Sequence, residues 1–156
     1  MFILDADVIL NDYRYLTDPK HAVTHQALDL LKQTGQPLGV TTQALLEVVG
    51  VLSFNVSSKL FPSLPIVLQT YYSLTVFPSV VLVPMYAGCT QDEILIQMRE
   101  VMGLGDAVQA VQLRKYAPSG STLLTWNLKH FRGKVTFPVL SPAEWLAQRT
   151  SAGPTP

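Results

Sequence analysis

The chain carries a single cysteine, Cys89, among its 156 residues. No internal disulfide can form, and a reducing cytoplasm is the expected setting. Charge is scarce as well. Asp, Glu, Lys and Arg make up 14%, with 11 cations against 11 anions. Overall charge therefore points to no polyanionic partner, and local charge has to decide. The first residues hold no basic segment, and Asp5 and Asp7 interrupt the apolar start, so no signal peptide is expected. From Leu60 to Gln91 charge is missing altogether. Pro62, Pro65, Pro78 and Pro84 break that stretch, which excludes the run of about 20 apolar residues a membrane helix needs. It reads as a buried helix, a loop and a buried strand, and its apolar character makes it a candidate subunit interface. Internal repeats and low-complexity segments are absent. His21 and His25 stand four apart, but no third ligand or HExxH pattern accompanies them, which argues against zinc.

What is abundant is apolar: 48% of the residues. That proportion excludes a disordered chain, and the length suits one domain with a sizeable core. We expect a single domain over 1–148 and a disordered tail over 149–156. Short apolar strands are predicted at Phe2–Leu4, "LGVTT", "SVVLVP" and "TLLTWN", with "KVTFPVL" as a last, edge strand. Helices alternate with them. Asp18 and Pro19 open the first long one, and Gly35 and Pro37 stop it. "QALLEVVGVLSFN" is apolar nearly all round, hence buried. A further helix is expected between Ser57 and Thr75. "TQDEILIQMREVM" starts on a capping box of Thr90 and Glu93. "GDAVQAVQLRKYA" and "SPAEWLAQ" complete the set. The alternation implies a parallel sheet covered on both faces, a three-layer α/β/α sandwich. In such sheets, sites lie at the carboxyl ends of the strands.

Three acids stand without charged company. Glu47 is alone between Lys32 and Lys59, Asp106 is alone between Glu100 and Arg114, and Asp5 follows an apolar strand. A buried, uncompensated carboxylate costs several kcal/mol. Each acid also has an ordinary reading: Asp5, Asp7 or Asp106 as a helix cap, Glu47 on a thin solvated stripe. The three lone acids would nonetheless all fall near one sheet edge. There they suit a hard divalent ion, Mg²⁺ or Mn²⁺.

The blocks "FILDADVIL", "TTQALLEVVGVL", "GLGDAVQAVQLRKY" and "LLTWNLKHF", in this order, resemble the PIN-domain nucleases, above all the VapC-type toxin ribonucleases of toxin–antitoxin pairs. The likeness runs from Phe2 to about Leu146. It implies a metal-dependent endoribonuclease on an α/β/α fold, with Asp5, Glu47 and Asp106 at the metal. It also implies an RNA substrate, a cognate antitoxin and a homodimer. A fourth acid common in the family is Asn127 here, and Thr125 matches a hydroxyl two residues earlier. Asp7 falls where the family more often has asparagine or serine. It is a helix cap by default, and a candidate for supplying the charge that Asn127 lacks.

Local charge agrees with a polyanion. No acid occurs from Ala107 to Ala143, while Arg114, Lys115, Lys129, Arg132 and Lys134 do. Arg114, Lys129, Arg132 and Lys134 are therefore candidate RNA contacts. Two rivals remain at this point. One is a non-catalytic PIN-like protein that binds RNA or a partner. The other is a haloacid-dehalogenase-type phosphatase, with Asp5 as nucleophile and Asp7 as acid. The phosphatase needs a lysine for which only Lys59 is available, and a strand where "MREVMGLGD" reads as helix and turn.

Overall fold

The computed structural model describes residues 1–53, 80–83 and 89–151. In chain order these form β1 (Phe2–Leu4), α1 (Ala6–Tyr13), α2 (Pro19–Gln33), β2 (Leu38–Thr41), α3 (Thr42–Ser53), β3 (Val80–Val83), α4 (Gln91–Arg99), α5 (Leu104–Tyr116), β4 (Thr122–Leu124), α6 (Leu128–Phe131), β5 (Val139–Leu140) and α7 (Pro142–Ser151). The strands make one sheet in the order β3-β2-β1-β4-β5, and every pairing is parallel. In register, Leu4 stands beside Val40 on one side and Leu124 on the other.

Strand side chains alternate between faces, and two cores result. Leu4, Val40 and Leu124 join Val8, Ala27, Leu31, Leu45, Val48 and Trp145 on the face covered by α1, α2, α3 and α7. Ile3, Leu123 and Val139 join Met102, Ala107, Ala110, Leu113 and Phe131 on the other, covered by α5 and α6. This is the expected α/β/α arrangement.

Local chemistry starts and stops the helices as the sequence suggests. Asp18 accepts from Lys20 N at 2.8 Å, with Pro19 in the first turn of α2, and Gly35 takes a φ of +62° after its end. Thr90 and Glu93 form the capping box of α4. Ser141 and Glu144 satisfy each other's backbone N–H in the same way at the start of α7.

Four expectations differ. β4 ends at Leu124 and not at Asn127, because the backbone N–H groups beyond Thr125 turn to side chains. Trp126 N donates to Asp7, and Asn127 N donates to the Thr125 hydroxyl. β5 is only two residues long, since Pro138 just before it has no N–H for a ladder. The short helix α6 had no sequence counterpart. Arg149, Thr150 and Ser151 belong to α7, where a disordered tail was expected to begin. The helix expected over 57–75 and most of the uncharged Leu60–Gln91 stretch lie outside the described residues.

Candidate active site

Strand order reverses direction at β1 and β4: the chain moves outward from β1 to β3, then returns to β1's other side for β4 and β5. The crevice at the carboxyl ends of these two strands is where an open α/β sheet offers a site. Asp5 immediately follows β1 and Thr125 immediately follows β4. Asp5 N donates to Leu124 O at 3.0 Å, which ties the two strand ends together.

The Asp5 carboxylate is 5% exposed. Oδ1 accepts from Ala6 N at 2.7 Å and Oδ2 accepts from the Thr125 hydroxyl at 2.7 Å. Asp5 is therefore the N-cap of α1 as well as a site residue. Burial raises its pKa above the usual carboxylate value. The Thr125, Ala6 and Gln109 donors pull it back, and the Asp106 charge adds to the rise.

Asp7 does not cap α1. It straps α1 to the loop after β4: Oδ2 accepts from Trp126 N at 2.9 Å and lies 3.3 Å from the Thr125 hydroxyl, while Oδ1 is buried with no hydrogen-bond partner. Burial, then the Asp5 charge, pushes its pKa up to about 7. A carboxyl that holds its proton so long brings only part of a negative charge at neutral pH, which weakens its case as a substitute for an acid at position 127.

Glu47 projects from α3, which starts where β2 ends, with Thr41 Oγ1 accepting from Ala44 N. It is exposed, and its carboxylate lies against the first turn of α5. An added Cβ on Gly105 in the first turn of α5 would collide with Oε1. Gln43 Nε2 donates to the same oxygen at 3.1 Å. Desolvation raises the Glu47 pKa first, and the charges of Asp5 and Asp106 raise it further. The two neighbours that repel it are the two acids with which it was grouped from sequence.

Asp106 lies in the first turn of α5, whose N-cap is Gly103 and not Asp106. Its Oδ2 meets His130 Nδ1 at 2.6 Å, and the same nitrogen meets Asn127 Nδ2 at 2.6 Å. One nitrogen serves one neighbour at a time: with a proton it donates to Asp106, without one it accepts from Asn127. His130 is thus part of the site, and the sequence reading gave it no role. Its position three after Asn127 was the available signal.

The candidate RNA contacts do not gather on one face. Lys129 is exposed on α6, next to His130. Arg132 is held by Glu144 at 2.7 Å and by Val139 O. Lys134 is half-buried. Arg114 stands about 12 Å along α5 from Asp106, by helical rise, where it meets Gln97 of α4. A cation the sequence reading missed is closer: Lys20 lies 5.3 Å over the Trp126 ring and its charge acts on Asp7.

No family model matches the sequence, and no curated protein is similar to it in sequence. The fold does have solved counterparts. A chain of VapBC2 from Rickettsia felis, bound to a DNA fragment from their promoter, superposes with a TM-score of 0.57. It does so at 16% identity, over 90% of this chain and 98% of that one. The chain has the VapC-like PIN fold. VapC20 of Mycobacterium tuberculosis, a Sarcin-Ricin loop cleaving toxin, matches at a TM-score of 0.50 and 11% identity, over 78% of this chain and 87% of that one.

Within this PIN fold the acids meet the chemical requirement of a hard cation. Asp5, Glu47 and Asp106 offer only carboxylate oxygens, and the first two carry raised pKa values to which their neighbours' charges contribute. They are not a closed ligand set as they stand: among the described residues no three His, Cys, Asp or Glu side chains could together hold an ion. Asp106 is turned to His130 and Glu47 to Gln43. The donor set fits a divalent ion in kind, though its three carboxylates are not closed around one point in this arrangement.

Proposed function

We propose that the chain is a divalent-metal-dependent endoribonuclease that hydrolyses RNA phosphodiester bonds, and the toxin of a toxin–antitoxin pair. The observation that carries this reading is the approach of Asp5, Glu47 and Asp106 from three elements to the β1–β4 crevice, where the charges of Asp5 and Asp106 act on Glu47 and that of Asp106 acts on Asp5. Asp5, Asp106 and Glu47 would hold Mg²⁺ or Mn²⁺. Such an ion supplies Lewis acidity, activation of water and neutralisation of phosphate charge.

The chain's own residues then have distinct tasks. Thr125 and Ala6 N orient Asp5. Asp7 holds the turn that carries Thr125, Trp126 and Asn127. Asn127 offers an amide that can donate to or accept from a water but cannot take its proton. Lys20 and Lys129 line the approach with positive charge for an RNA backbone. The VapBC2 and VapC20 likenesses support the nuclease and the antitoxin partner. The apolar stretch from Leu60 to Gln91 is the candidate for a homodimer or antitoxin contact, and a cytoplasmic setting accords with the lone cysteine. No helix among the described residues is long and apolar enough to cross a membrane.

The test is cleavage of single-stranded RNA by the purified chain with Mg²⁺ or Mn²⁺, beside Asp5→Asn. Cleavage that survives the substitution or a chelator refutes the proposal. Phosphate released from a small monoester, with RNA intact, favours the phosphatase. Tight RNA binding without cleavage favours the non-catalytic reading.

A further inference from the structure

α6 is a single turn of helix, anchored by Phe131, which is fully buried in the core that holds Met102, Ala107 and Ala110. This anchor places His130, the residue before it, beside the first turn of α5. His130 Nδ1 lies 2.6 Å from Asp106 Oδ2. A neutral ring with its proton on Nδ1 and a charged ring can both donate there, so the bond does not depend on the ring's charge. Asn127 Nδ2 approaches the same nitrogen at 2.6 Å. A carboxylate at position 127 would compete for the Nδ1 proton, and a neutral amide competes far less. The His130 and Asp106 side chains stay partly open, at 28% and 24% exposure. Among the described residues Asp106 Oδ1 accepts no hydrogen bond. The carboxylate is held by one oxygen and free at the other.

We infer that His130 is a positioning residue for Asp106: it anchors Oδ2 and leaves Oδ1 as the oxygen offered to a divalent ion. The inference rests on the metal-site reading above. An unrestrained aspartate on a helix samples several rotamers, and only some of them aim it at the crevice. A hydrogen bond to an ionised carboxylate from a rigidly placed neighbour removes that choice, and such bonds are short, as this one is. Thr125 holds Asp5 in the same manner at 2.7 Å. The segment after β4 thus grips two of the three acids. Carboxylates that bind metals are commonly held in this way, and loss of such an outer partner lowers metal affinity about 10- to 100-fold.

The test compares two substitutions in the full chain. His130→Phe keeps a ring and removes both nitrogens. His130→Asn gives up the ring and keeps an N–H donor at the place of Nδ1. Calorimetric titration with Mn²⁺ should show affinity reduced at least tenfold in His130→Phe and mostly recovered in His130→Asn. Single-stranded RNA should bind His130→Phe as it binds wild type when a chelator is present. Mn²⁺ affinity that is unchanged or raised in His130→Phe overturns the inference, as does equal loss in both variants. Weakened RNA binding with Mn²⁺ affinity intact also overturns it and makes His130 a substrate contact. If His130→Phe does not fold, His130→Ala takes its place under the same criteria. Wild-type protein that binds no Mn²⁺, or Asp5→Asn that binds as well as wild type, overturns the metal-site reading and this inference with it. Mn²⁺ binding that is lost in Asp5→Asn but intact in His130→Phe overturns this inference alone.

Discussion

Gly105→Ala adds one methyl group in the first turn of α5. The new Cβ would collide with Glu47 Oε1 and lie 3.4 Å from Gln43 Nε2. Both atoms end flexible side chains on α3, so they yield by rotating and the backbone need not. In energy, alanine gains up to about 1 kcal/mol over glycine within a helix, and less near its end. Losing the surface Gln43–Glu47 hydrogen bond costs about 0.5 kcal/mol. Net stability should stay within about 0.5 kcal/mol of wild type by these terms. Function should not. Glu47 is driven out of the cleft, and RNA cleavage should fall about 10- to 100-fold, the range for disturbing a metal-site support. Urea unfolding at constant slope measures the first quantity, and initial cleavage rates in Mn²⁺ measure the second. A Glu47→Ala background removes the collision, so Gly105→Ala there should cost no further activity. Full cleavage by Gly105→Ala alone, with Glu47→Ala inactive, would refute the assignment of Glu47's place against α5 to its catalytic role.

Other substitutions test the parts around it. Thr125→Val removes the hydroxyl that donates to Asp5 and accepts from Asn127 N. It should lose about 1–3 kcal/mol in urea unfolding, with Thr125→Ser recovering most, and a fully stable Thr125→Val contradicts this bonding. Asp7 has a folded pKa raised from 3.8 to about 7. The native state therefore binds more protons than the unfolded state between those values. Its contribution is complete below pH 3.8 and lost as pH rises through about 7. Asp7→Asn should flatten the stability profile across that window, and an unchanged slope argues against the burial. His25, exposed between Asp12 at 2.8 Å and Asp29 at 3.3 Å, has its pKa raised first by the Asp12 hydrogen bond and then by the Asp29 charge. Its stabilisation is full below the usual 6.5 and fades as pH rises through the folded value. His25→Asn should remove that fading, and high salt should weaken it in the wild type.

Much of this was legible in the chain because it is local. Asp18-Pro19, Thr90 with Glu93, and the β-branched strands announce their elements within a few residues. The lone acids were legible because an isolated carboxylate in apolar sequence requires a reason. What stayed hidden depends on distance. Asp7 reads as a cap beside Asp5, and only the return of β4 gives it Trp126 N to hold. His130 has no evident role until α6 turns it onto Asp106. Gln109 looks like a surface residue of α5, and only packing shows that its amide is sealed inside. The basic run misled for the same reason: α5 carries Arg114 to the far end of the helix from Asp106, and Arg132 is committed to Glu144.

The bond between Thr125 and Asp5 joins residues 120 apart in sequence. β1 stays open on one side until β4 exists, and β4 in turn is flanked by β5. Closing so long a loop is among the slower steps of folding. Asp5 is therefore synthesised well before the partner that Thr125 gives it. A nascent or truncated chain that stops before position 125 holds Asp5, Glu47 and Asp106 with no β4 beside them. If the acids act as proposed, cutting power arrives only once β4 has been made and paired with β1.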